Sequence, residues 1–178
     1  QSRGLGDVYK RQIHDLVRTA VEKAEAIIKP GVRFCDIDAQ ARDLIGEAGY
    51  GEYWKIRLGH FIGQEDHEYG DVSPINKNVA EPGMIFSIEP GIYIEGSHGV
   101  RLENELLVCE GEKNEYGEFL YFEPITYVPF DLDAINPDIM NAEDKERLNT
   151  YHATVYEKVS PYLNDEEKEW LKKYTRAI

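Results

Sequence analysis

The stretch from Met84 to Val108 constrains this chain more than any other. Residues 84–94 and 99–108 are rich in β-branched, aromatic and aliphatic side chains, and Glu95-Gly96-Ser97-His98 between them reads as a hairpin connection. Helical periodicity lies on both sides. Residues 14–29 place Leu16, Val17, Ala20, Val21, Ala24, Ile27 and Ile28 at steps of three and four before Pro30-Gly31 stops the pattern. Residues 37–48 give a second helix, with Asp36 as N-cap, Ile37, Ala41, Leu44, Ile45 and Ala48 as the buried stripe, and Gly49 as the stop. A third strand region, 119–130, is interrupted by Pro124 and Pro129, which makes it an edge or an irregular strand. Helix returns at 142–159, where Leu148, Tyr151, His152, Val155 and Tyr156 share a stripe, and at 165–176, where Asn164 and Glu167 have the spacing of a capping box. The order helix, helix, strands, helices predicts an α+β fold.

At 178 residues the chain fits one domain or a large piece of one, able to bury roughly two-thirds of its unfolded surface. Its formal net charge of -14 argues against nucleic acid or an anionic membrane as partner, since both reward clustered Lys and Arg. Residues 36–123 hold 19 acidic against 6 basic side chains, whereas residues 141–178 hold 8 against 7, so the acid excess is concentrated in the strand-rich part. Only Cys35 and Cys109 occur, outside any ligand-spaced motif, which points to a reducing compartment. With no long apolar run and no visible signal peptide, a cytoplasmic protein is expected. Residues 1–12 (QSRGLGDVYKRQ) show neither period and join abruptly to a patterned helix. They resemble translated adapter sequence and are expected to be a non-native leader.

Three short motifs carry chemistry: Gly59-His60-Phe61-Ile62-Gly63 with His67 beyond, Ile88-Glu89-Pro90-Gly91, and Val100-Arg101-Leu102-Glu103-Asn104. Each sets an ionisable group in apolar, Gly- or Pro-punctuated surroundings, where an unpartnered charge is costly to bury. Each also has a plainer reading alone: His60 as a turn or satisfied core histidine, Glu89 as an exposed strand residue, Glu103 as part of a solvated face with Arg101 and Glu105, His67 as a surface loop residue beside Glu68. Joined, one His and two Glu form an N/O donor set without thiolate, better suited to Mn²⁺, Co²⁺ or Fe²⁺ than to structural zinc. Paired cations bridged by carboxylates activate water and polarise a carbonyl, which is amide or ester hydrolysis. In such a site Arg101 would neutralise and orient a ligating carboxylate, and His67 would donate a hydrogen bond to substrate.

GHFIGQEDHE, EPGMIFSIEPGIYI and GVRLENE resemble the second half of the pita-bread metallopeptidase domain shared by prolidase, aminopeptidase P and methionine aminopeptidase. The tail from Gly111 onward is similar to the C-terminal extension of bacterial aminopeptidase P. The resemblance implies a partial catalytic domain over residues 13–130 and a helical extension over 131–178. It implies that His60, Glu89 and Glu103 are three of five ligands to two divalent ions, usually Mn²⁺ with Co²⁺, Fe²⁺ or Zn²⁺ open. Glu103 would bridge them, Glu89 would double as general base, His67 would assist the tetrahedral intermediate, and Arg101 would support the ligands. The implied reaction removes the N-terminal residue from peptides with proline second. A prolidase acting on Xaa-Pro dipeptides and a non-catalytic peptide- or protein-binding module are the alternatives.

The pattern departs from the family in four places. The family's two further ligands are aspartates on strands upstream of this region, and Asp36 and Asp38 start a helix, so the chain is expected to be an incomplete, inactive part of the enzyme. Ile56 stands where a histidine is common, and Phe61 where glycine is common. The His60-to-His67 spacing looks like prolidase while the tail looks like aminopeptidase P, so a mosaic of two branches is open. Tyr151, Tyr156, Tyr162 and Tyr174 suit either a homodimer contact or closure of the domain's own core.

Overall fold

The computed structural model describes residues 3–178; Gln1 and Ser2 of the expected leader lie outside the described residues. The chain forms two compact units, one ending at Ile125 and the other spanning Thr126–Ile178.

The first unit opens with two helices, α1 (Arg3–Ala26) and α2 (Phe34–Glu47). Seven strands follow: β1 (Gly59–Phe61), β2 (Glu68–Val72), β3 (Ile85–Ile88), β4 (Gly91–Ile94), β5 (His98–Arg101), β6 (Asn104–Asn114) and β7 (Gly117–Pro124). Five make an antiparallel sheet in the order β2-β1-β3-β6-β7, while β4 and β5 form a separate hairpin. The core joins the helix stripes, Ile13, Val17, Ala20 and Ala24 with Phe34, Ile37, Ala41 and Ile45, to Leu58, Val72, Phe86, Ile88, Leu106 and Val108. Phe34 seals it, meeting Phe61 and Phe86 edge-on at ring separations of 4.9 and 5.1 Å.

Several expectations need correction. Helix α1 starts at Arg3, so residues 3–12, which show no period of their own in the sequence, continue into the patterned stretch as one helix. Tyr9 there packs its ring against those of Tyr50 and His98, tertiary contacts that override a weak local pattern. Helix α2 begins at Phe34, so Asp36 is its third residue and Arg33 the cap position. The Asp36 carboxylate receives the Arg33 guanidinium at 2.8 and 2.7 Å and the Arg33 amide at 3.4 Å. The expected strand at 84–94 is two strands in different sheets, because Pro90 has no N–H with which to continue the ladder. The stretch 99–108 likewise breaks at Leu102-Glu103, so Arg101 belongs to the hairpin and Glu105 to the large sheet. Strands β1 and β2 were not anticipated. Strand β7 is at the sheet edge and stops at Pro124, leaving 125–130 without strand structure.

The second unit holds α3 (Ala142–Val159) and α4 (Asp165–Tyr174), with Leu148, His152, Val155 and Leu171 buried. Asn141 and Asn164 cap the two helices, and Glu167 returns a bond to the Asn164 amide, completing the box read from the sequence. The Tyr151 hydroxyl lies within hydrogen-bond distance of the Thr126 and Val128 carbonyls, and Asn149 pairs with the backbone of Ile178. Tyr162 is exposed. Among the described residues no helix is long and apolar enough to cross a membrane.

Candidate metal centre

Strand β1 delivers His60. Its amide bonds the Ser87 hydroxyl at 3.0 Å, and its ring Nδ1 lies 3.2 Å from the Phe61 carbonyl, leaving Nε2 to face Glu89 Oε1 at 3.4 Å. Only glycine fits at position 59, because a Cβ there would lie 1.8 Å from the Ser87 carbonyl oxygen. Glu89 closes β3, its amide bonded to the Leu58 carbonyl at 2.7 Å, and Pro90 then ends the ladder and turns the chain into β4. Glu103 comes from the two-residue break between β5 and β6. One donor atom each from His60, Glu89 and Glu103 lies within 4.8 Å of the other two, the one such group of three among the described residues.

Arg101 serves both carboxylates, with Nε 3.4 Å from Glu103 Oε2 and Nη1 3.9 Å from Glu89 Oε2. Its proton is held more tightly than usual, chiefly by a hydrogen bond with Tyr93 and then by the acids around it. The Tyr93 side chain passes close to Gly91 and Gly99, where added Cβ atoms would lie 2.6 Å from its hydroxyl and 2.9 Å from its ring. Burial raises the Glu103 carboxyl above its ordinary range, the Glu89 charge raises it further, and Arg101 and His60 oppose both. His67 leaves the loop after β1 to stack on His60, ring centroids 3.8 Å apart at 21°, while its own side chain stays largely exposed beside Asp66.

The structure therefore brings all five anticipated residues together: His60, Glu89 and Glu103 as converging donors, His67 and Arg101 against them. It keeps Asp36 and Asp38 away from the cluster, on α2, where the buried Asp38 is paired with Arg42 at 2.7 Å. Ile56 packs against the hydrophobic core and leaves no polar group where a histidine is common. Ser87 and Tyr93 were missed. Alternation already put Ser87 on the Glu89 face, and the glycines at 91 and 99 were the signal for Tyr93. Two carboxylates converging on an imidazole, one of them with its charge disfavoured, form a donor set that a divalent cation fits.

Residues 4–110 match the profile of metallopeptidase family M24. The chain belongs to this family. Residues 118–178 match the C-terminal region of peptidase M24. An uncharacterized peptidase of Staphylococcus saprophyticus is 50% identical over 107 residues, 60% of this chain and 31% of its own length. The M24 chain thus spans about a third of the curated relatives it matches. Among solved structures, the prolidase of Pyrococcus horikoshii superposes with a TM-score of 0.55 at 42% identity, covering 57% of this chain and 29% of that one. The X-prolyl aminopeptidase of Caenorhabditis elegans, described as cytosolic with a di-nuclear active site, superposes with a TM-score of 0.67 at 25% identity, covering 94% of this chain and 28% of its own. The α+β arrangement is the one expected, that of the pita-bread metallopeptidases.

Proposed function

We propose that this chain supplies the His60–Glu89–Glu103 wall of the active site in a cytoplasmic Xaa-Pro aminopeptidase, with Mn²⁺ as the working metal. The observation that carries the reading is the convergence of those three donors within 4.8 Å, with Arg101 reaching two of them and His67 stacked on the third. Bound divalent ions would polarise the scissile carbonyl and lower the pKa of a water.

The chain's own residues do the rest. Glu89, buried and acceptor-only while ionised, takes up the proton released as water attacks. Arg101 holds the two carboxylates apart and offsets their mutual repulsion. His67, exposed on one side and stacked on His60 on the other, presents a ring N–H toward the substrate carbonyl oxygen as negative charge develops there. His60, Glu89 and Glu103 supply the donor atoms. The described residues supply one three-donor group, so a two-ion site takes its further ligands from elsewhere.

Similarity to the Caenorhabditis X-prolyl aminopeptidase over 94% of the chain supports removal of a single residue from longer peptides. The 42% identity to a prolidase over a shorter stretch favours dipeptides as the second reading. Offering a tripeptide with proline second and an Xaa-Pro dipeptide side by side, to protein extended upstream to the length of its relatives, separates them. Release of the first residue from the tripeptide is expected. Cleavage of the dipeptide alone would favour the prolidase reading, and cleavage of neither would sink both.

A further inference from the structure

We propose that Ser87 is a positioning residue whose hydroxyl fixes His60 and Glu89 relative to one another, a role that rests on the metal-centre reading above. Ser87 is fully buried in β3 between Phe86 and Ile88, where a hydroxyl without partners would be costly. It has two partners, and both belong to the centre. The His60 amide donates to Ser87 Oγ at 3.0 Å, and Ser87 Oγ donates to Glu89 Oε1 at 3.1 Å.

A hydroxyl has one proton and two lone pairs, and an ionised carboxylate only accepts. The directions are therefore set: the Ser87 proton goes to Glu89 and a lone pair goes to the His60 amide. The carboxylate oxygen so held is the one facing His60 Nε2 at 3.4 Å. One side chain thus fixes the carboxylate rotamer of one donor and the backbone that carries the other. Position 59 maintains the same junction, since any Cβ there would strike the Ser87 carbonyl and push β1 away from β3.

The test uses the wild-type chain with Ser87→Ala, Ser87→Thr and Glu103→Gln, each checked for folding by thermal melting. Mn²⁺ affinity is read from the spin-resonance signal of the free ion, and hydrogen exchange of the His60 amide is followed without metal. Loss of an outer partner typically weakens metal binding about 10- to 100-fold. Ser87→Ala is expected to lose about tenfold or more and to leave the His60 amide fast-exchanging, while Ser87→Thr restores both. If the threonine methyl prevents folding, Ser87→Cys, of similar size but a weaker donor, is expected to fall between.

Glu103→Gln separates the two readings. If it weakens Mn²⁺ binding while folded Ser87→Ala binds as wild type, the centre stands and the Ser87 role is overturned. If Glu103→Gln binds as tightly as wild type, the centre itself fails; if the wild-type chain alone takes up no Mn²⁺, its three donors need the further ligands from elsewhere. In either case the His60 amide decides alone, and unchanged protection in Ser87→Ala overturns the positioning role.

Discussion

Glu103 meets opposing demands. Burial and the Glu89 charge disfavour its ionised form, while Arg101 at 3.4 Å favours it. A residue kept for fold stability would shed that repulsion, whereas a ligand tolerates it because a cation offsets it. Glu103→Gln is therefore expected to lower Mn²⁺ affinity at least tenfold and to leave urea stability of the metal-free chain within about 0.5 kcal/mol. Calorimetric titration and urea unfolding read the two quantities. A large stability loss with unchanged affinity would make Glu103 a structural partner of Arg101. The ligand candidates were legible in the sequence because charge inside an apolar, Pro- or Gly-broken stretch is rare. Ser87 was not, because a serine in a strand is ordinary until its partners are known. His67 was legible through its family motif alone, since a loop has to fold back before its ring can stack on His60.

Close backbone approach and capping decide the elements. Strand β1 is three residues long and joins β3 through a single register pair, Phe61 with Phe86, so it depends on the contact at Gly59. Gly59→Ala places a methyl 1.8 Å from a backbone oxygen that cannot swing aside. It is expected to cost about 3 kcal/mol in urea unfolding, at the upper end for overpacking; a loss below about 1 kcal/mol would show that β1 shifts freely. At the other end of the chain, Asn164→Ala removes the cap of α4 and half of its box, an expected loss of about 1 kcal/mol. Faster exchange of the Glu167 amide would mark it. Helix α3 was readable at both ends and α4 at its cap, because an Asn and an acidic first turn signal the start. The start of α2 was misread because Arg33 is an unusual cap residue, and the segment entering the helix is held by tertiary bonds, from the Phe34 and Cys35 amides to the Asn78 and Asn76 carbonyls. The strand at 84–94 was misread because alternation continues through Glu89 although pairing does not.

At the scale of the whole molecule the chain is two units with separate cores, and a titratable group is built into one of them. His152 is fully buried in the second unit, where its Nε2 accepts the Phe130 amide at 3.0 Å. An acceptor nitrogen carries no proton, so the neutral form is required, and burial accordingly pushes its pKa below the ordinary 6.5. Between that lowered value and 6.5 the unfolded chain binds more protons than the folded one, so stability rises with pH across the window. The contribution is fully present above about pH 6.5 and is lost as pH falls through the folded value. Amide exchange in α3 is therefore expected to accelerate as pH is lowered from 7.5 to 5.5, beyond the intrinsic pH dependence of exchange. His152→Leu fills similar space without titrating, and should flatten that dependence while costing about 1 kcal/mol at pH 7 for the lost acceptor. A pH dependence that persists in His152→Leu would assign the effect to other groups. If α2 in the first unit loosened in step with α3, the two units would unfold as one cooperative block.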